Sequence, residues 1–250
     1  DGGCDEGPGY WNVAGGRLFD YLEFLRVASN DKLSFYENKL IQEIGRYIAK
    51  AHIHESYVAN FADARAKANL AGGLVYRYGK QINDPVMMSL GAWSLQRRNP
   101  IKRGLSGNIS RQLFSIFDLQ EMLSAPASQP YLRDAWLPDI QVMFARSNAG
   151  SAEGWYVAAK GGHNAESHNH NDVGSFILYK DGLPALIDIG VEEYSRKTFS
   201  RDRYDIWTMQ SGYHNLPTVN GIDQKAGRTF KANAVHYTST DEYAQLDQDI

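Results

Sequence analysis

The sequence predicts an α+β chain in two parts, antiparallel helices over residues 1–125 and antiparallel strands over residues 126–250. Three observations carry that reading. In the first part apolar residues recur at three- and four-residue spacing, the mark of helices with one buried stripe. In the second they gather into short runs rich in β-branched and aromatic residues, the mark of strands. Between the two lies Ser124-Ala125-Pro126-Ala127-Ser128-Gln129-Pro130, a linker-like run. Helices first and strands afterwards argue against an alternating α/β sheet.

Leu18, Tyr21, Leu22 and Leu25 predict the first helix, and Leu33, Tyr36, Leu40, Ile44 and Ile48 the second. Leu70 to Tyr78, Pro85 to Gln96 and Ile109 to Leu123 continue the spacing. The breaks at Ser29-Asn30-Asp31, Asn83-Asp84-Pro85 and Arg98-Asn99-Pro100 carry cap chemistry, with Pro85 just inside a helix start. Further on, the runs from Ile140, Gly154 and Val173 predict strands. Asp181-Gly182, between Phe176–Lys180 and Leu183–Asp188, predicts a two-residue hairpin turn.

The 250 residues are 43% hydrophobic and 22% charged, which fits a folded globular chain with one large core or two ordinary ones. A net charge of −3 excludes a globally basic nucleic-acid binder, although it averages a helical part at +2 and a strand part at −5. No stretch approaches the ~18 apolar residues of a membrane span. The lone Cys4 permits no internal disulfide and leaves the redox compartment open.

Five of the seven histidines follow residue 160, and the densest cluster is Glu166-Ser-His168-Asn-His170-Asn-Asp172. In an extended segment, residues i and i+2 share a face, so His168 and His170 could present two rings to one site. Imidazole is a common transition-metal ligand, and a carboxylate would complete an N/O set suited to zinc. A solvated polar loop is the alternative. Asp188, inside Leu186-Ile-Asp-Ile-Gly190, needs a partner if buried and none if it faces solvent. His214, in Tyr213-His-Asn215, reads as a ligand or as a satisfied core histidine. A straight hairpin would set Asp188 opposite Ser175 and leave His170 five residues off, roughly 16 Å along the strand. His170 and Asp188 can meet only if the segment curls back.

Near the start, Asp5-Glu6-Gly-Pro-Gly-Tyr10-Trp11 joins two acids to two aromatics. A tyrosine hydroxyl serves as acid or base only when its surroundings lower its pKa of ~10; otherwise Tyr10 is part of an ordinary turn before a helix. Arg97-Arg98 with Lys102-Arg103 forms a basic cluster, read as a solvated surface or an anion subsite.

Taken together and in order, Asp1-Gly2…Glu6-Gly-Pro-Gly-Tyr10-Trp, Glu166-Ser-His-Asn-His-Asn-Asp-Val-Gly-Ser-Phe, Leu186-Ile-Asp-Ile-Gly190 and Tyr213-His-Asn215 closely resemble the heparinase II/III-like family of polysaccharide lyases. The resemblance implies an incomplete α/α toroid joined to an antiparallel β-sandwich domain. It implies β-elimination on an acidic, uronate-containing glycan such as a glycosaminoglycan or alginate, in a cleft between the helical and β domains. Tyr10 and His168 match the family's catalytic pair. His170, Asp188 and His214 match its zinc ligands, and Glu6 and Asn215 are the candidate substrate contacts. The family also implies a periplasmic or secreted location. Its members carry a helical segment upstream with an Asn or His that meets the substrate carboxylate, and more of the sandwich downstream, so the chain is expected to be the middle of a longer enzyme. Two other functions stand beside the lyase: a metal-stabilised carbohydrate-binding protein without chemistry, and a hydrolase whose zinc activates water through His168, His170, Asp188 and His214.

Overall fold

The computed structural model describes every residue except Ser106, and Lys102 by its backbone alone. Its contacts divide the chain into two units. The first holds Asp1–Gly2, Tyr10–His52 and Asn69–Pro130; the second holds Gly3–Gly9, Ile53–Ala68 and Tyr131–Ile250. Two stretches from before residue 126 therefore cluster with the strands. One of them carries a residue on which the site depends.

The first unit is helical: α1 (Ala14–Ala28), α2 (Lys39–Lys50), α3 (Gly72–Gln81), α4 (Pro85–Arg98), α5 (Pro100–Arg103), α6 (Ile109–Phe117) and α7 (Leu119–Ser124). The predicted second helix is too long. Leu33 and Tyr36 precede α2, which starts where the Asn38 side chain accepts from the Leu40 and Ile41 amides. Although Tyr36 is off the helix, its ring is buried beside Phe19. The stretch read as one helix from Ile109 to Leu123 is two, parted at Asp118. The Asp84 cap and Pro85 start are as expected, with Asp84 Oδ1 accepting from the Met87 amide at 2.9 Å.

Tyr78 is the aromatic centre of this unit, stacked on Phe19 at 4.7 Å and on Trp11 at 6.2 Å. Close approach of α3 and α4 depends on missing side chains. A Cβ at Gly91 would lie 2.4 Å from the Tyr76 amide, and one at Gly72 2.6 Å from the Gly91 carbonyl. Tyr76, Ala92, Leu95 and Met122 close the core between α3, α4 and α7. The basic cluster falls at the end of α4, where Arg97 lies over the Trp93 ring; the Lys102 side chain is outside the described residues.

The second unit is built on antiparallel strands. β1 (His52–His54) starts at the unit boundary and pairs with β2 (Tyr57–Val58). A five-stranded sheet follows in the order β3-β4-β5-β7-β8, formed by β3 (Asp134–Leu137), β4 (Val142–Arg146), β5 (Trp155–Lys160), β7 (Phe176–Lys180) and β8 (Leu183–Leu186). β6 (His163–Asn164) pairs with β9 (Gly227–Lys231), and β10 (Asn233–Ser239) with β11 (Ala244–Asp249). β4 is buried along its whole length. Asp181 and Gly182 both have positive φ, 51° and 77°, the left-handed pair of a primed hairpin turn.

The expected straight hairpin does not hold beyond Leu186. Its register slips between Leu178 and Tyr179, pairing Leu178 with Leu186 and Tyr179 with Pro184. β8 ends before Asp188. On the other side, the Ser175 amide donates to the Asp172 carbonyl at 3.0 Å, and Gly174 at φ 87° reverses the chain. The segment carrying the histidines thus turns back at Ser175. Among the described residues no helix is long and apolar enough to cross a membrane.

Candidate active site and metal centre

The histidine segment is not extended. His168 has φ 53°, so the two imidazoles do not share a strand face as the sequence spacing predicts. They converge instead on one buried carboxylate, Asp63. His168 Nδ1 lies 2.6 Å from Asp63 Oδ2, and His170 Nε2 lies 2.9 Å from Oδ1. Arg203 Nη2 donates to Oδ1 at 2.8 Å and the Tyr194 hydroxyl to Oδ2 at 2.9 Å. Burial alone would raise the pKa of Asp63. Hydrogen bonds from His170 and His168 and the charge of Arg203 outweigh it and hold the carboxyl well below the usual carboxylate range.

The segment is fixed along its length. Arg203 Nε donates to the Asn169 carbonyl at 2.8 Å, the Asn171 amide to the Met209 carbonyl at 3.0 Å, and Asn169 Nδ2 to the Tyr204 hydroxyl at 3.0 Å. At its end Asp172 meets Lys160 Nζ at 2.8 Å, both side chains almost fully enclosed. Although burial opposes charge on each, their mutual attraction keeps the Asp172 carboxyl low and the Lys160 ammonium high in pKa. A buried pair in such contact anchors the chain entering β7.

Three successive 3-10 turns, Arg203–Asp205, Trp207–Met209 and Ser211–Tyr213, bring His214 to the same place. His214 Nδ1 is 2.7 Å from Asp188 Oδ2, and Nε2 is 3.0 Å from the Thr208 carbonyl. Both ring nitrogens face acceptors, so the ring is satisfied only when both carry protons. Burial opposes that charge, but Asp188 overcomes it and raises the His214 pKa. Asp188 is locked in turn by the Gly190 amide on Oδ1 at 2.8 Å and by Asn60 Nδ2 on its carbonyl at 3.1 Å.

His170, Asp188 and His214 are all buried, and one ligand atom from each lies within 4.8 Å of the others. The His170 and His214 ring centroids are 5.2 Å apart. His170 Nδ1 is the telling atom: buried, with no hydrogen-bond partner. An orphaned ring nitrogen beside a carboxylate and a second imidazole is a donor set able to hold a metal ion, in which the cation would replace the proton shared by His214 and Asp188. His168 does not belong to this group. The four-ligand arrangement of the hydrolase alternative is therefore not formed.

The remaining candidates are placed as follows. Glu6 Oε2 is 3.7 Å from His168 Nε2, on the side of the ring away from Asp63. Nearby, Asp5 Oδ2 accepts from the Ser167 amide at 3.1 Å. Asp5 and Ser167 also line an open pocket of about 370 Å³ with His163, Glu166, Arg228 and Lys231. Asn215 is committed to the backbone, its Nδ2 donating to the carbonyls of Phe176 and Ile187, both at 3.0 Å. Tyr10 lies in the other unit, where its carbonyl accepts from the Val13 and Ala14 amides at the start of α1.

Sequence reasoning missed Asp63, Tyr194 and Arg203. Asp63 had a signal, because Phe61-Ala-Asp-Ala-Arg-Ala sets an acid among apolar neighbours as Leu186-Ile-Asp-Ile does. Tyr194 and Arg203 lie in a stretch without periodicity, and nothing in the spacing marks them.

Residues 134–248 match the family model described as heparinase II/III-like, C-terminal. No curated protein sequence matches the chain. Among solved structures, one described as a heparinase III gene product aligns with TM-score 0.70 at 15% identity, covering 99% of this chain and 34% of its own. A second, described as heparinase III, aligns with TM-score 0.58 at 17% identity over 97% of this chain and 37% of its own. The chain thus spans about a third of the length of either structure, with the same fold across nearly all of its own residues. Residues 134–248 thus resemble the heparinase II/III-like C-terminal family, and the chain as a whole shares the fold of two heparinase III structures.

Proposed function

We propose that this chain is part of a polysaccharide lyase that cleaves an acidic, uronate-containing glycan by β-elimination. The observation that carries the reading is His168, with one ring nitrogen on an ionised buried carboxylate and the other 3.7 Å from Glu6. Asp63 can only accept, so His168 Nδ1 donates to it, and Nε2 is turned toward Glu6 and away from Asp63. In the elimination, a base removes the C5 proton of the uronate, the C4–O bond breaks, and a proton reaches the leaving oxygen. No water is consumed, and one product acquires a C4=C5 double bond. By family resemblance Tyr10 supplies the acid function, and His168 works with it. Glu6 is the substrate contact nearest His168. Asn215 acts through the backbone it braces beside Asp188.

A divalent cation, zinc by its N/O/N donor set, would be held by His170, Asp188 and His214 and would tie three separate segments of the strand unit together. Its part is structural. The fold likeness also supports reading the helices as part of an α/α toroid and the sheets as part of a β-sandwich. A periplasmic or secreted location follows from the family reading alone. Glycosaminoglycan and alginate are the substrates to try first. Incubated with a panel of uronate polymers, the complete enzyme of which this chain is part should release products with the ultraviolet absorbance of a C4=C5 unsaturated uronate. Tyr10→Phe should abolish that signal. Absence of the absorbance across the panel, or full activity in Tyr10→Phe, would count against the reading.

A further inference from the structure

We infer that Asp63 is a positioning residue that sets the ring orientation and tautomer of both His168 and His170, linking the proposed reaction base to the proposed metal ligand through one carboxylate. The role for His168 rests on the lyase reading, and that for His170 on the metal reading. Neither is needed for the geometry itself. The two carboxylate oxygens serve two rings separately, Oδ2 facing His168 Nδ1 at 2.6 Å and Oδ1 facing His170 Nε2 at 2.9 Å. An ionised carboxylate only accepts, so both facing nitrogens carry protons. The other nitrogens are His168 Nε2, 3.7 Å from Glu6 Oε2, and His170 Nδ1. The latter is the buried nitrogen without a partner. A single acid thus fixes the orientation of both rings and the nitrogen each turns away from it.

Arg203 and Tyr194 keep Asp63 in that role. The guanidinium supplies the opposite charge on Oδ1, and the phenol donates to Oδ2 beside His168. Phe199 packs edge-on against the His168 ring at 5.4 Å, limiting its rotation. The metal ligand and the base are two residues apart, yet their shared contact is a residue more than a hundred positions earlier. Removing Asp63 would therefore free both rings at once. An outer carboxylate on a ligating imidazole is commonly worth roughly 10–100-fold in metal affinity or activity.

The test is long-range nitrogen–proton NMR on the full chain with ¹⁵N-labelled histidine, first without metal. The parent should show His168 protonated at Nδ1 and His170 at Nε2. In Asp63→Ala both rings should become tautomer mixtures, and Asp63→Asn, with one accepting oxygen, should hold at most one. Zinc affinity should fall roughly 10–100-fold in Asp63→Ala, and kcat on the cleaved glycan by a similar factor with KM unchanged. A bare His168 Nδ1 or a bare His170 Nε2 in the parent overturns the assignment, even if the variants fail to fold. Unchanged tautomers in Asp63→Ala also overturn it, while glycan cleavage by the parent would leave the lyase reading intact. Fixed tautomers lost in Asp63→Ala, without unsaturated product from any uronate, would end the lyase reading and leave the positioning role in place.

Discussion

Each unit buries an arginine against a carboxylate, and the two arrangements end differently. In the helical unit Arg77 meets Glu23 through Nε and Nη2 at 2.9 and 3.0 Å, while Nη1 donates to Ser115 Oγ at 2.5 Å and to the Arg111 carbonyl at 3.2 Å. Every nitrogen of that guanidinium is spent inside the unit. In the strand unit Arg203 meets Asp63, but the same carboxylate also holds two imidazoles, each with a second nitrogen directed elsewhere. A buried charge whose partners are all consumed holds helices together. One that also holds two imidazoles orients rings whose second nitrogens point toward other groups.

The sharpest way to break this comparison is to remove the acid from the closed pair. Glu23→Ala leaves Arg77 charged and enclosed without a counterion, a change that costs about 3–5 kcal/mol for pairs of this kind. Denaturant unfolding should show that loss. Zinc affinity of the folded protein, measured below the unfolding transition, should be unchanged. A weakened metal site in Glu23→Ala would show that the two arrangements are not independent.

The second test acts on the open arrangement. Metal at 100 times its dissociation constant should stabilise the folded chain by about 2.7 kcal/mol, through binding to the native state alone. Calorimetry with and without chelator should display that increment. His214→Ala, which removes one of three candidate ligands, should largely abolish it. An equal increment in the variant would exclude His214 from the site.

The two regions were also unequally legible in the sequence. α4 could be read with its cap, because Asp84-Pro85 and the spacing after it are local signals. The false extension of α2 back to Leu33 has a physical cause: Tyr36 keeps helical spacing yet is buried by its contact with Phe19 from a turn. In the strand unit the hairpin turn was readable and its far end was not, since the register slip at Leu178 depends on tertiary packing. His170, Asp188 and His214 were singled out as a possible metal set, partly by chemistry and decisively by family resemblance. The reversal at Gly174 then brings them together. Asp63 carried only a weak local signal, an acid between alanines, because the partners that give it a role lie more than a hundred residues away.

The smallest expected effect concerns an ion pair that is neither closed nor functional. Glu43 on α2 meets Lys50 Nζ at 2.6 Å and Arg46 Nη1 at 2.7 Å, with about a third of its side chain exposed. Partial burial would raise its pKa, but hydrogen bonds from Lys50 and Arg46 prevail and lower it. A folded-state pKa below the unfolded value of ~4.3 contributes stability that is fully present above that value and fades as pH falls through the folded one. The parent should therefore exceed Glu43→Gln at neutral pH by about 0.2–1 kcal/mol, the range for exposed pairs, with the gap closing on acidification and in high salt. Unfolding curves for both proteins from pH 7 to pH 3 would measure it. A gap that persists at pH 3 would mean that the carboxylate is worth something other than its charge. Partners screened by water make a weak and titratable contact, unlike either of the two buried acids.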